Sequence, residues 1–157
     1  FANDAPALGG GMVGPGRVKQ LIHLAEGNGS IHDATNRQDL ARLHTLLQIT
    51  GWHVGRMKSG NAATRSEGNL MKLRNSDITR LAREVSCRIL GAGAMLTGPN
   101  SPSGGSAQEF TLFSPAPAIY GGSDQVQRNI IGERGLGLPK EPGPDRNTPF
   151  SELPKNG

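Results

Sequence analysis

The sequence is poor in cysteine and in aromatic residues. Cys87 is the only cysteine among 157 residues, so no disulfide can form within the chain. Chains without disulfides are typical of a reducing compartment, and we expect a cytoplasmic protein. Because Cys87 lies in a stretch rich in Leu and Val, we interpret it as a small buried apolar residue and not as a catalytic thiol. With aromatics at 4%, the core must consist mainly of aliphatic side chains.

Long apolar runs are missing as well, and so is any clustering of positive charge. No apolar stretch approaches the roughly 20 residues that a membrane-spanning helix needs, so we expect no membrane span. The 17 basic and 13 acidic residues give a net charge of +4. Because the Arg and Lys are spread along the chain without interleaved aromatics, we expect no nucleic-acid partner. None of the 4 histidines lies at a metal-ligand spacing from another His or from Cys, so no metal site is expected.

The sequence does contain amphipathic helical patterns separated by Gly and Pro. Their apolar spacing predicts helices over residues 17–26, 35–59, 64–91, 107–114 and 124–134, with an exposed loop over 97–106. Thr35 and Gln38 have capping-box spacing at the start of the second helix, as Thr64 and Glu67 have at the start of the third. Trp52 extends the apolar stripe of the second helix. Two long helices with a short polar connection predict an antiparallel hairpin.

A glycine pair precedes the last predicted helix. Gly121 and Gly122 can adopt backbone angles closed to other residues, and Ser123 can cap the helix indicated by Val126 and Ile130. The start of a helix has unpaired N–H groups, so a polar or anionic ligand group could bind there. The same pattern also occurs in plain connections, and local geometry leaves both interpretations open.

Residues 120–139 read YGGSDQVQRNIIGERGLGLP, which resembles the C-terminal signature of acyl-CoA dehydrogenases, especially those of actinobacteria. The resemblance implies an all-α fold, the up-and-down four-helix bundle of the family's C-terminal domain. This bundle would occupy residues 1–134, and residues 135–157 would form an extended Pro/Gly-rich tail. The resemblance also implies that Phe1 lies inside a longer polypeptide, after an N-terminal helical domain and a middle β domain.

The same resemblance implies the cofactor and the partners. These are FAD, an acyl-CoA substrate from fatty acid or steroid side-chain catabolism, electron-transfer flavoprotein as electron acceptor, and a homo- or hetero-oligomer. In the family's pattern Gly122, Ser123 and Gln125 would contact FAD. The family's second flavin motif is a Gln followed by closely spaced Gly. In this sequence it corresponds to residues 88–94, RILGAGA, which lack the Gln.

The family's reaction needs a carboxylate that removes the proton α to the thioester. In many members this is a Glu directly after the Tyr of the signature, where this sequence has Gly121. In other members it belongs to a Glu-Arg pair shortly before a Gly-Gly turn. At the corresponding place stands Asp4, with Ala5 instead of the Arg. Asp4 is therefore the candidate base; interpreted without the family, it is a solvent-facing residue near a helix end.

Three functions are compatible with these residues. The first is the C-terminal domain of an FAD-dependent acyl-CoA dehydrogenase whose base is Asp4 or belongs to a partner subunit. The second is a non-catalytic structural subunit of a hetero-oligomeric acyl-CoA dehydrogenase, and the third is a helical interaction module unrelated to the family. Since the family's flavin lies between domains and subunits, we expect the isolated 157-residue chain to be inactive.

Overall fold

A computed structural model describes residues 13–60, 66–98, 100–140 and 148–153. Within these ranges the chain is all-α and contains no strand, which confirms the predicted fold class. The α-helices are α1 (Pro15–Gly27), α2 (Ala34–Lys58), α3 (Glu67–Leu90), α4 (Ser106–Phe113) and α5 (Asp124–Ile130). Short 3-10 turns lie between α1 and α2, between α3 and α4 and between α4 and α5, and a π turn at Ile131–Gly135 follows α5. Among the described helices, none is both long and apolar enough to cross a membrane.

Four helices, α1 to α4, contribute side chains to one apolar core. The core members are Val13, Val18, Leu21, Ala25, Leu40, Leu43, Leu47, Ile78, Leu81, Ala82, Val85, Ile89, Ala107 and Phe110. Phe110 of α4 is the only aromatic side chain among them, and it packs 4.3 Å from the buried guanidinium of Arg17 on α1. Burial lowers the pKa of Arg17 because an apolar surrounding disfavours the charged form.

The predicted antiparallel hairpin is formed by α2 and α3. An ion pair between Asp39 and Arg88 joins the two helices at one end, and a hydrogen bond between His53 and Glu67 joins them at the other. Residues at the start of α2 thus face the end of α3, which requires opposite helix directions. The connection includes residues 61–65 and Thr64 of the second predicted capping box, which lie outside the described residues.

The start of α2 differs from the prediction by two residues. Asp33 is the cap, and its carboxylate accepts a 3.0 Å hydrogen bond from the backbone N–H of Asn36. Thr35 lies inside the helix, so the predicted capping box is wrong. Both side chains can accept from a backbone N–H, and Asp33 is the one whose backbone is extended. This bond is the main cause that lowers the pKa of Asp33.

Helix α2 buries apolar side chains from Leu40 to Leu47. Its buried apolar residues are Leu40, Leu43 and Leu47, whereas Trp52 in the second half is 69% exposed. The prediction that Trp52 extends the core-facing stripe is therefore wrong. Apolar spacing continues along α2 beyond Leu47, the last residue of this helix that is buried among the described residues.

The C-terminal elements also depart from the predicted bounds. The loop at 97–106 is not fully exposed, because Ser101 and Ser106 are buried. The last α-helix ends at Ile130, and the π turn carries the chain to Gly135, whose missing Cβ would lie 3.1 Å from Ser66 Oγ. This close approach explains why a glycine ends the turn. The division into a bundle and a tail at residue 135 stays a prediction, since residues 141–147 and 154–157 lie outside the description.

Candidate functional site around the glycine pair

The predicted glycine turn is present in the structure. Gly121 has a φ of 65° and Gly122 a φ of 90°, both in the left-handed region that favours glycine. Directly after the turn, the Ser123 hydroxyl accepts a hydrogen bond of 3.3 Å from the backbone N–H of Val126. The turn and the serine cap predicted from the sequence are therefore confirmed.

A buried carboxylate, Asp124, fastens the start of α5 to α3. Its Oδ1 accepts hydrogen bonds from Lys72 Nζ at 2.9 Å and from Ser76 Oγ at 2.8 Å. Its Oδ2 lies 3.3 Å from the guanidinium of Arg80. Burial acts to raise the pKa of Asp124, but the hydrogen bonds from Lys72 and Ser76 and the nearby positive charges outweigh it, so the pKa lies below its ordinary value.

A second buried residue of α5, Gln127, holds the turn itself. Gln127 is 5% exposed, and its Nε2 donates a 2.7 Å hydrogen bond to the carbonyl of Gly121. Its Oε1 accepts one of 2.6 Å from Nδ2 of Asn69 on α3. The Gly121 carbonyl is thus connected to α3 through two side-chain amides.

The residues predicted to contact the cofactor lie together on the outer side of this turn. Gly122 is exposed, Ser123 is half-buried, and Gln125 is exposed with no hydrogen bond to another described residue. Large side chains next to them in sequence are also exposed, with Ile119 69%, Tyr120 52% and Val126 48% exposed. Asp4, the candidate base, lies outside the described residues. Gly121 has no side chain, so it supplies no base.

Residues 88–94, which correspond to the family's second flavin motif, lie at the end of α3 and in the turn that follows it. Arg88 is paired with Asp39 across the hairpin, and the chain from Gly91 to Met95 forms a 3-10 turn. The residue that stands where the family has a glutamine therefore contributes to the packing of α2 against α3. The described residues contain no group of three or more His, Cys, Asp and Glu that could bind a metal.

Sequence reasoning missed the side chains that support the turn. Asn69, Lys72, Ser76 and Arg80 lie at helical spacing on α3, on the side that faces α5. A stripe of polar residues three and four apart was the available signal. A solvated helix face produces the same signal, so the stripe alone does not identify the partner.

Comparison with known proteins defines the class. Residues 25–136 match the family described as acyl-CoA dehydrogenase, C-terminal domain, which is well over half of the chain. The chain belongs to the acyl-CoA dehydrogenase family. An unrelated helical interaction module, the third function considered above, is therefore wrong.

Two individual relatives within this family are similar to the chain in sequence. The chain is 31% identical over 144 residues to acyl-CoA dehydrogenase IpdE1 of Mycobacterium tuberculosis, covering 90% of this chain and 36% of the relative. It is 36% identical over 122 residues to acyl-CoA dehydrogenase IpdE1 of Mycolicibacterium smegmatis, covering 77% of this chain and 30% of the relative. The chain thus spans about a third of the length of these relatives.

Solved structures share the fold at lower identity. One, the Tcur3481-Tcur3483 steroid ACAD, superposes with a TM-score of 0.68 at 22% identity, covering 79% of this chain and 34% of that one. Another, the ChsE4-ChsE5 complex from Mycobacterium tuberculosis, gives a TM-score of 0.67 at 22% identity, covering 84% of this chain and 37% of that one. At this identity the likeness establishes the helical architecture.

Proposed function

We propose that this chain is the C-terminal domain of an FAD-dependent acyl-CoA dehydrogenase that oxidises the α,β bond of an acyl-CoA thioester. The observation that carries the proposal is the exposed Gly121–Gly122 turn, followed by a serine cap, in a chain that belongs to this family. We further propose that the complete protein is cytoplasmic, forms an oligomer and passes electrons to electron-transfer flavoprotein.

The residues around the turn suit contact with a flavin nucleotide. The Ser123 oxygen accepts from Val126, so its O–H remains a donor for a ligand. Apart from its two chain neighbours, no described residue has an atom within 4 Å of the position that a Cβ of Gly121 would take, so this part of the described backbone is approachable. The exposed side chains of Ile119 and Tyr120 offer apolar surface beside it. Gln125 adds a free amide at the same edge.

When bound, FAD accepts the hydride that leaves the β carbon of the substrate. The protein must supply the group that removes the α proton, and a carboxylate held in an apolar site suits this role because burial raises its pKa toward the working pH. Since residue 121 is Gly, we propose that the base is Asp4 or a carboxylate of a partner subunit. The names of the two structural relatives described above each contain two components, which is compatible with a partner-supplied base. Steroid-derived acyl-CoA is the substrate class that the first of these names suggests.

The test uses the complete polypeptide with its oligomeric partners. We expect the purified assembly to show a flavin absorbance spectrum and to reduce an electron-accepting dye when acyl-CoA is added. Asp4→Asn should retain flavin and lose turnover by at least about 100-fold, the usual contribution of a positioned base. Glu26→Gln, an exposed change on α1, is the control and should leave turnover unchanged.

The competing function is a non-catalytic structural subunit. It is favoured by Gly121 at the family's base position and by Arg88 where the second flavin motif has Gln. Unchanged turnover in the Asp4→Asn assembly would assign the base elsewhere. An assembly in which this subunit holds no flavin would reject the first proposal in favour of the structural one. The isolated chain should show neither a flavin spectrum nor turnover.

A further inference from the structure

The Gly121–Gly122 turn is held from inside the domain by a chain of two amides. Gln127 contacts the turn, and Asn69 contacts Gln127. The orientation of both amides follows from chemistry, because a backbone carbonyl only accepts hydrogen bonds. Nε2 of Gln127 must face Gly121, which turns Oε1 toward Asn69, and Asn69 must then donate its Nδ2.

Glycine at residue 122 leaves room for the Gln127 amide at its observed position. A Cβ on Gly122 would lie 2.8 Å from Nε2 of Gln127, closer than such atoms approach in proteins. At Gly121, by contrast, the described residues beyond its chain neighbours leave the corresponding space empty. The two glycines therefore have different roles: both supply a positive φ, and Gly122 also leaves room for the side chain that fixes the carbonyl of Gly121.

The cap and the amide chain constrain different parts of the turn. Ser123 organises the first N–H groups of α5, which lie after the glycines. Gly121 and Gly122 are themselves exposed. Among the described side chains, Gln127 is the one that donates a hydrogen bond to this pair, at the carbonyl of Gly121. Without it, two consecutive residues with the conformational freedom of glycine would sample many orientations.

We propose that Asn69 and Gln127 are positioning residues that set the shape of the Gly121–Gly122 turn for cofactor contact. This inference rests on the proposed flavin-binding function and adds to it the residues that preorganise the site. Neither residue needs to touch the flavin. Their effect is to remove the conformational freedom that the turn would otherwise lose on binding.

The experiment measures the dissociation constant of FAD for the complete apoprotein assembly by fluorescence titration, together with the thermal unfolding midpoint. Gln127→Glu keeps the size of the side chain but places an acceptor oxygen against the Gly121 carbonyl. Gln127→Met keeps most of the volume and removes both hydrogen bonds. We expect Gln127→Met and Asn69→Leu to weaken FAD binding about tenfold, and Gln127→Glu to weaken it more than Gln127→Met does.

Two measurements distinguish positioning of the turn from simple support of the fold: the FAD affinity of the double variant and the thermal unfolding midpoint. Because Asn69 acts through Gln127, adding Asn69→Leu to Gln127→Met should weaken binding by less than the product of the two single effects. Ile78→Val, a change in the buried core, is the control: it should lower the unfolding midpoint and leave FAD affinity unchanged.

Failure of the proposed function and failure of this inference give different results. If the unsubstituted assembly shows no binding of FAD to this subunit, the proposed function fails. If it binds FAD and the Gln127 and Asn69 variants bind equally well, within about twofold, while their unfolding midpoints fall, the amides only support the fold and the inference is overturned. A Gln127→Glu variant with affinity equal to that of Gln127→Met would likewise reject the orientation argument.

Discussion

Replacing Asp124 should detach α5 from α3 without unfolding the core. In Asp124→Ala, Lys72 and Ser76 lose the carboxylate oxygen to which they donate at 2.9 Å and 2.8 Å. The contact with Arg80 adds little, because that side chain is 40% exposed and water screens it. Hydrogen bonds to charged groups contribute about 1.5–3 kcal/mol each. Ser76 keeps the Pro117 carbonyl as an acceptor, so we expect a loss of about 3 kcal/mol.

The expected effect is local, so the assay must be local. Hydrogen exchange followed by mass spectrometry on the complete protein should show faster exchange in peptides that cover residues 119–130. Peptides from the buried part of α3, around Val85, should exchange as before, because the described part of α5 contributes no residue to the apolar core. Asp124→Asn retains an oxygen that can accept from Ser76 and should lose only about half as much stability.

The pH dependence gives an independent check. The folded-state pKa of Asp124 is lowered, so its contribution to stability is present above the unfolded-state value near 3.9 and is lost as the pH falls through the lower folded-state value. The difference between the natural protein and Asp124→Asn should therefore be full at neutral pH and shrink below about pH 4. Equal exchange of residues 119–130 in both proteins at pH 7 would refute the reasoning.

Two further predictions concern the turn and the cap of α2. Gly122→Ala should destabilise the start of α5 more than Gly121→Ala does, because both replace a residue of positive φ but only the first meets Gln127. Exchange rates of residues 119–130 in the two variants measure this, and equal rates would contradict it. Asp33→Ala should lower the denaturation midpoint and Asp33→Ser should largely restore it, since both Asp and Ser cap helices. The difference in midpoint between the natural protein and Asp33→Ala, measured by circular dichroism, should fall in acid because the Asp33 pKa is lowered in the folded state.

The main helices could be predicted from the sequence because their buried faces are continuous. Ile78, Leu81 and Val85 repeat at helical spacing along α3, and glycines mark its end. Trp52 shows where this reasoning fails. Periodicity identifies an apolar stripe, but it does not indicate how far along the helix a neighbour extends.

The candidate site was predictable in its local part only. The glycine turn and the Ser123 cap depend on residues adjacent in sequence, and both were predicted. Asp124 and Gln127 depend on Lys72 and Asn69, which lie 52 and 58 positions away. In a short helix, polar residues ordinarily indicate a solvated surface. Their burial becomes apparent only when α3 is placed against them.

Nothing in the apolar interior of the described domain depends on the glycine pair. α5 is joined to α3 by polar bonds, and a Cβ at residue 121 would meet no described atom within 4 Å beyond its chain neighbours. Exchanging Gly121 for an acidic residue would therefore cost only local backbone strain of about 1–2 kcal/mol. We therefore expect that a single substitution at residue 121 can add or remove a carboxylate at this edge while the described helices stay packed.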